Sequence, residues 1–286
     1  MIAAPVWTWE IPVYFFVGGL AGASAPLAAL ASARGNRPLA RSASLGALGG
    51  AIVSPALLIS DLGRPSRFLN MLRMFKVTSP MSVGSWVLSG FGPCAALGAA
   101  RETLGVPGPL GRAGQIGAAL LGPVLSTYTA ALVSNTAVPA WHEARRELPL
   151  VFAGSSLASA GALATVLTPA VSAAPARRMA IGGAALSLIA GREMERGLAQ
   201  EVRTAYRQGM PGRLLRAAQA LTVAGCVTTM LVGRRRAGAI AGAAALLSGA
   251  ALERLGIFRA GFASAADPAA TVAPQRERIG ALLPHA

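Results

Sequence analysis

Eight uninterrupted apolar runs, at about 11–33, 43–60, 81–100, 113–135, 148–170, 175–191, 213–233 and 237–255, divide this chain of 286 residues. Each is close to the roughly 20 residues that a helix needs to cross a bilayer. Surrounded by lipid, such runs satisfy their own backbone N–H and C=O groups only as helices. Composition agrees: 53% of the residues are hydrophobic and 13% are charged, where a soluble domain carries about 25% charged residues. The expected fold is an all-α polytopic membrane protein whose eight transmembrane helices form two four-helix bundles. The halves divide near 1–140 and 141–286, at a long central loop. With no repeat visible between them, residues 1–286 are read as one integral membrane domain. Met1 to Glu10 lacks a basic region and no A-x-A site follows a short apolar stretch, so the first span is expected to stay in the mature protein.

Charge and cysteine usage exclude several chemistries. The 26 Lys+Arg against 11 Asp+Glu give a net charge of +15, but the cations fall in short clusters between the apolar runs. Membrane loops look like this, and a nucleic-acid-binding stripe does not. No nucleic-acid partner is expected. Two cysteines, Cys94 and Cys226, and two histidines, His142 and His285, cannot supply the four thiolates of an iron–sulfur cluster or the paired axial histidines of a membrane b-type haem. The expectation is no haem, no iron–sulfur cluster and no metal in this chain. Span interiors hold almost no ionisable residue, which argues against a transmembrane proton channel.

The eight runs place both termini on one side, with the loops at about 61–80, 136–147 and 192–212. The tight connections of the opposite side carry ten Arg and one acid, Glu102. By the positive-inside rule the termini face outward across the cytoplasmic membrane. Trp7, Trp9, Trp86 and Trp141 lie on or near the terminal side, as do Tyr14, Tyr128 and Tyr206 and most of the phenylalanines. An ordinary aromatic belt decorates both interfaces. A one-sided belt is one account of this asymmetry; the other is that chemistry and partners sit on the terminal face.

The loop after the second run is the most informative segment. Gly63 and Pro65 end the run, and Pro65 suits the first position of a new helix. Arg64, Arg67, Asn70, Arg73 and Lys76 recur every third residue opposite Phe68, Met71, Leu72 and Phe75. The spacing predicts an interfacial helix over about 64–76, lying on the membrane. Its cations would meet lipid phosphates or dock a partner.

Asp61-Leu-Gly-Arg-Pro65, Arg67-Phe-Leu-Asn70, Thr78-Ser-Pro-Met-Ser-Val-Gly-Ser-Trp86, the opening Pro12-x-Tyr-x-Phe-x-Gly-Gly-Leu-Ala-Gly22, and Tyr128-Thr129 followed by Pro139-x-Trp141 occur in order. Together they resemble the NrfD/PsrC membrane subunits of polysulfide reductase-like molybdoenzyme complexes. The likeness is dense over the first half. Beyond about 175 it rests on span count and on the tail motif Asp267-Pro268 to Pro274-Gln-Arg-Glu-Arg278. The resemblance implies an eight-helix anchor that binds quinone near the face docking a 4Fe-4S ferredoxin-like subunit, which is wired to a molybdopterin catalytic subunit. Electrons would pass between that cluster chain and the quinone pool, with menaquinone the expected quinone.

Quinone chemistry needs hydrogen-bond partners for two carbonyl oxygens, apolar walls and a proton route. Tyr128 holds the position that the resembled Tyr-Thr motif gives to a pocket tyrosine; the alternative is a tyrosine anchoring at the lipid interface. Tyr14 and Trp9 are further pocket candidates. Asn135 would bind a carbonyl oxygen or cap its helix, and the sequence does not separate these. Glu10 and Asp61 are the acids nearest the hydrocarbon boundary on the terminal side, placed to exchange quinone protons. Glu10 would otherwise favour the start of the first helix, and Asp61 would pair with Arg64 or Arg67. His142 is a further candidate for proton transfer near neutral pH, against a solvated loop histidine. Arg64, Arg67, Arg73 and Lys76 are the candidates for docking an acidic partner surface. Two other functions remain open at this point: a polytopic transporter, weakened by the missing midplane charge, and a purely structural anchor.

Overall fold

Proline, glycine and small polar caps set the helix boundaries. A computed structural model describes residues 7–62, 66–106 and 108–270. Gly35, with φ 72°, turns the chain out of α1 (Glu10–Ala33), and Asn36 accepts from the Leu39 N–H to start α2 (Arg37–Asp61). Such a cap satisfies one of the amides that a helix start leaves without an internal partner. After α3 (Ser66–Met71), Ser79 caps α4 (Pro80–Leu104) in the same way, with Pro80 preset for a first helical turn. Gly105, with φ 67°, ends α4 before α5 (Pro109–Ser134). The rest of the described chain forms α6 (Pro139–Glu143), α7 (Leu148–Leu167), α8 (Ala174–Gly197), α9 (Gln200–Arg207), α10 (Gly209–Val232) and α11 (Arg236–Ala266).

The eight expected runs lie in eight long helices. Seven of these, all but α8, are long and apolar enough to cross a membrane. In α8 the pair Arg177-Arg178 and the cluster Arg192, Glu193, Glu195 and Arg196 bracket an apolar centre of only Met179–Gly191. At 1.5 Å per residue that centre spans roughly 20 Å, short of a bilayer core of about 30 Å. It packs along α7 and also touches α10.

The helices fall into the two expected groups. α1, α2, α4 and α5 pack on one another, as do α7, α8, α10 and α11, and α1 joins the groups by touching both α7 and α11. Each helix of the first group contains an internal proline, Pro26, Pro55, Pro93 or Pro123. Proline removes a backbone donor inside a helix, so a carbonyl one turn earlier is left for other partners. At the α1–α5 crossing Ser126 Oγ lies 3.1 Å from both Gly19 O and Gly122 O. The backbones nearly touch there: a Cβ on Gly22 would lie 2.3 Å from Gly122 O. Small residues supply such contact where lipid gives no hydrophobic drive for association.

The interior is unequal along its length. One large buried cluster gathers Tyr14, Phe15, Phe91, Trp141, Phe152, Tyr206 and Phe258 at the end that carries α3, α6 and α9. Two smaller clusters toward the opposite end consist of Ala and Leu, with one Met and one Val beside them among others. The aromatic asymmetry of the sequence is thus an asymmetry of the packed core.

The amphipathic loop differs from its expectation. α3 is helical only over Ser66–Met71, so Arg73 and Lys76 lie beyond its end, and Arg64 falls outside the described residues. The chain must reverse into α4, and Ser82 holds that reversal: its Oγ accepts from the Lys76 N–H and donates to Met74 O, both at 3.0 Å. A helix continued to 76 would remove both contacts. The tail motif Pro274–Arg278 likewise lies outside the described residues.

Gly122→Ala is expected to cost about 1–3 kcal/mol, the usual penalty of overpacking a tight interior. Thermal unfolding of the detergent-solubilised chain should show a lowered Tm. Gly49→Ala, whose added Cβ would meet nothing within 4 Å, should leave the Tm near that of the unaltered protein.

Candidate functional site

The start of α1, the end of α2 and the outer ends of α4 and α5 meet beneath α3. Between them lies a narrow cavity of about 60 Å³, lined by Trp7, Ile11, Tyr14, Phe15, Leu58, Asp61, Leu62, Met71, Met81, Ser85, Tyr128 and Leu132. Three residues singled out from the sequence, Tyr14, Asp61 and Tyr128, converge here. Tyr14 and Tyr128 face each other edge to face, with ring centroids 6.4 Å apart. Tyr128 has room because Gly84 on α4 has no side chain: a Cβ there would lie 2.0 Å from the Tyr128 ring.

Among the described residues the buried Tyr14 hydroxyl has no hydrogen-bond partner. A buried hydroxyl left unpaired costs about 1–3 kcal/mol, so any hydrogen-bond partner that reaches this oxygen is favoured. The cavity walls are mostly apolar, with polar atoms at few places: a surface that holds an aromatic ring by packing and orients it by one or two hydrogen bonds. Tyr14, Tyr128 and the apolar walls therefore fit a quinone head group. The enclosed space is smaller than such a ring, and two of its lining residues, Met71 and Met81, are unbranched and adaptable.

At the mouth two acids share one hydroxyl. Thr8 Oγ1 lies 2.7 Å from Asp61 Oδ1 and in short contact with Glu10 Oε2. Threonine has a single hydroxyl proton, so Thr8 donates to one carboxylate at a time and ties the start of α1 to the end of α2. Asp61 meets Thr8, while Arg67 donates to Leu62 O at 3.4 Å; Arg64, the other expected partner, lies outside the described residues.

The other candidates lie apart from the cavity lining. Trp9 is 65% exposed. Asn135 is the exposed C-cap residue of α5. His142 is half-buried in α6, with Nδ1 3.3 Å from Ser134 O. Arg67, Arg73 and Lys76 are exposed on the connection between α2 and α4. Trp7, two residues before Trp9, is the tryptophan that lines the cavity, and it stacks on Trp141 at 5.5 Å. Sequence reading missed Trp7 because both tryptophans precede the first apolar run, and only the packed start of α1 decides which one turns inward.

A second group behind this stack holds the floor rigid. Trp141 is fully buried, and its Nε1 donates to Ile257 O at 2.8 Å. Tyr206 of α9 donates to Ala140 O at 2.8 Å. Burial, and secondarily the negative Glu195, push the Tyr206 phenol well above its ordinary range. It therefore stays protonated as a donor.

Sequence reading also missed Glu253 and Arg254. The last apolar run was expected to end at 255, with this pair at its edge, yet α11 continues to Ala266. The signal was present: neither Pro nor a turn cluster interrupts 236–266, so one helical period runs past the charges. The expectation of span interiors nearly free of ionisable groups is corrected accordingly.

These helices and this cavity define a multi-pass α-helical membrane protein with an apolar, tyrosine-bearing pocket at one end of its bundle. The model of the family described as polysulphide reductase NrfD matches residues 1–182, a stretch that contains the entire cavity lining. The chain belongs to the polysulphide reductase NrfD family. Comparison with curated proteins gives no match.

Gly84→Ala should force the Tyr128 ring to turn and cost about 1–3 kcal/mol through overpacking. Thermal unfolding would report the loss. Gly84→Ala combined with Tyr128→Leu should recover part of it, because the shorter side chain leaves the new methyl group room.

Proposed function

We propose that this chain is the quinone-reactive membrane anchor of a multi-subunit oxidoreductase. It exchanges electrons between the membrane quinone pool and a 4Fe-4S ferredoxin-like subunit, which serves a molybdopterin catalytic subunit. The small substrate is handled by that catalytic subunit. The observation that carries this reading is an apolar cavity lined by Tyr14, Tyr128 and Asp61, in which the two tyrosine rings meet and the Tyr14 hydroxyl has no partner among the described residues. Family membership agrees with it, as the resembled anchors work in such complexes.

Reduction of a quinone takes up two electrons and two protons. In the proposed scheme the Tyr14 and Tyr128 hydroxyls donate to the carbonyl oxygens and hold the ring between α1, α4 and α5. Asp61, Thr8 and Glu10 pass protons between the ring and the aqueous edge. Trp7, Met71 and Met81 exclude bulk water. The cavity lies at the end of the bundle, so the ring sits close to the face where the iron–sulfur subunit docks. That proximity is required of an anchor without haem or cluster of its own. Exposed Arg67, Arg73 and Lys76 form the cationic edge of the docking face and also meet lipid phosphates; Arg64, the fourth docking candidate, lies outside the described residues. The termini and this face point outward in this reading, as the ten arginines of the tight loops imply, and menaquinone is the expected pool.

The experiment is to isolate the chain gently from its native membrane, identify the subunits, iron, molybdenum and quinone that accompany it, and then test Tyr14→Phe and Tyr128→Phe. Each substitution removes one hydroxyl and keeps the ring. Losing a hydrogen bond worth about 1–1.5 kcal/mol should lower quinone-coupled turnover by about tenfold while assembly is retained. Unchanged turnover in the double variant would remove the pocket assignment. Isolation of the chain alone, without metal or quinone, would favour a transporter.

A further inference from the structure

Arg254 stands deep inside the bundle, and Glu253 beside it is half-buried. Arg254 faces Gly19, the tenth residue of α1, which has fourteen more helical residues beyond it. At 1.5 Å per residue the guanidinium lies roughly 14 Å below one end of α1 and roughly 20 Å from the other. Charged side chains at such depth are costly and mark functional sites. The two residues serve different neighbours. Arg254 Nη2 donates to Phe152 O at 2.7 Å and to Ser156 Oγ at 2.9 Å, and the guanidinium lies 3.6 Å above the Phe152 ring. Glu253 turns toward α8 and α10, where Ser187 Oγ donates to its Oε2. Its other oxygen is enclosed, with the Ser155 hydroxyl of α7 as a polar neighbour.

Beside the Glu253 side chain is a cavity of about 30 Å³, lined by Ser187, Gly191 and Glu195 of α8, Gln219 and Thr222 of α10, and Glu253 among others. This is room for one water molecule with several polar partners. Ser187, Gly191 and Glu195 follow one another at four-residue spacing, so they form a single stripe along α8. The stripe leads outward. Gln219 Nε2 donates to Glu195 Oε1 at 3.5 Å, and Glu195 Oε2 accepts from Nε of exposed Arg207 at 3.1 Å. Toward the opposite face the way is closed by Ala158, Ala180, Ala184, Ala243 and Leu246.

We infer that Glu253 is a proton-exchange site inside the membrane, reached by water from the α9 face along Glu195, Gln219 and Thr222 and closed toward the other face. Hydronium in the cavity gives its proton to the carboxylate, leaving water and the neutral acid, and the reverse step returns it. Both states find partners there. The acid donates its O–H to the cavity water; the carboxylate accepts from that water and from Ser187. The charged groups around it are Arg254 on its own helix and Glu195 on α8, the latter held by Arg207 of α9. The faces offered by α7 and α10 are neutral, with Val151, buried Ser155, Gln219 and Thr222. Glu253 lies beyond the stretch matched by the family model, and the inference does not depend on quinone binding at the other site.

The test uses the full-length chain with its native subunits, reconstituted in lipid vesicles. Infrared spectra across pH should show a protonated-carboxyl C=O band that shifts in heavy water, is lost in Glu253→Gln and persists in Glu195→Gln. Thr222→Leu, which fills the cavity without touching a charge, should slow the heavy-water shift by about tenfold or more, equivalent to about 1.4 kcal/mol of added barrier. A second measurement needs no change at Glu253: a hydrophobic carbodiimide should label Glu253 of the unaltered protein, located by peptide mass spectrometry, and label it less in Thr222→Leu. Identical carboxyl bands with and without Glu253, or absence of label on Glu253, would overturn the site. Exchange and labelling unaffected by Thr222→Leu would overturn the route.

Discussion

The close backbone approach of α1 to its neighbours is the contact on which the rest of the bundle depends. In lipid, helices gain little from hiding apolar surface from one another, so contact must come from backbones that fit closely. α1 makes such contacts in three directions. Gly22 meets Gly122 of α5, Ala21 meets Gly50 of α2, and Gly19 meets Ser156 of α7 beside Arg254 of α11. Each requires a small residue on at least one side. α1 is thus the axle between the two groups of helices, and its register fixes where Tyr14, Phe15 and Ile11 enter the pocket end.

With backbone contact handled by glycine and alanine, large side chains are free to gather at one end. There Trp7, Trp141, Phe258 and Phe262 stack or tilt against one another with centroids 5.0–6.4 Å apart. This cluster gives the pocket a stiff wall on the α6 and α11 side. The opposite wall is the short α3 connection, with Met71 and its neighbours. One rigid wall and one adaptable wall suit the proposed role, in which the site would orient a ring and admit it from lipid.

The eight long helices were legible because an apolar run of transmembrane length has few other solutions. The family motifs placed Tyr128, Tyr14 and Asp61 in one region, and the folded chain brings them to one cavity. Local periodicity was less informative in the 64–76 loop: the three-residue spacing of its cations suggests a helix, but Ser79 and Ser82 hold a reversal that only the position of α4 explains. Trp7 and Trp9 were equally plausible from sequence, since the choice depends on the rotation of α1 against α11. Glu253 was read as the end of a span because hydropathy averages treat a charge as a boundary, whereas a helix held on three sides by other helices can carry one through.

The pocket and the Glu253–Arg254 pair are joined by packed rings. Tyr14 in the pocket lies against Phe15, Phe15 against Phe152 at 6.1 Å, and the Arg254 guanidinium covers Phe152. Nothing along that line carries a proton, so the two proposed sites would exchange protons with water by separate paths, one past Thr8 and one past Glu195. What the line does carry is position. Arg254 holds the carbonyl of Phe152 and the hydroxyl of Ser156 against the bare face of α1 at Gly19, where a Cβ would lie 2.4 Å from Ser156 Oγ. A change in the charge of Glu253 alters the field on Arg254, and any resulting shift of that guanidinium presses on α1 five residues from Tyr14. Densely packed interiors transmit such displacements rather than absorbing them. The second half of the chain therefore has a mechanical route to the pocket of the first that requires no shared water or ligand.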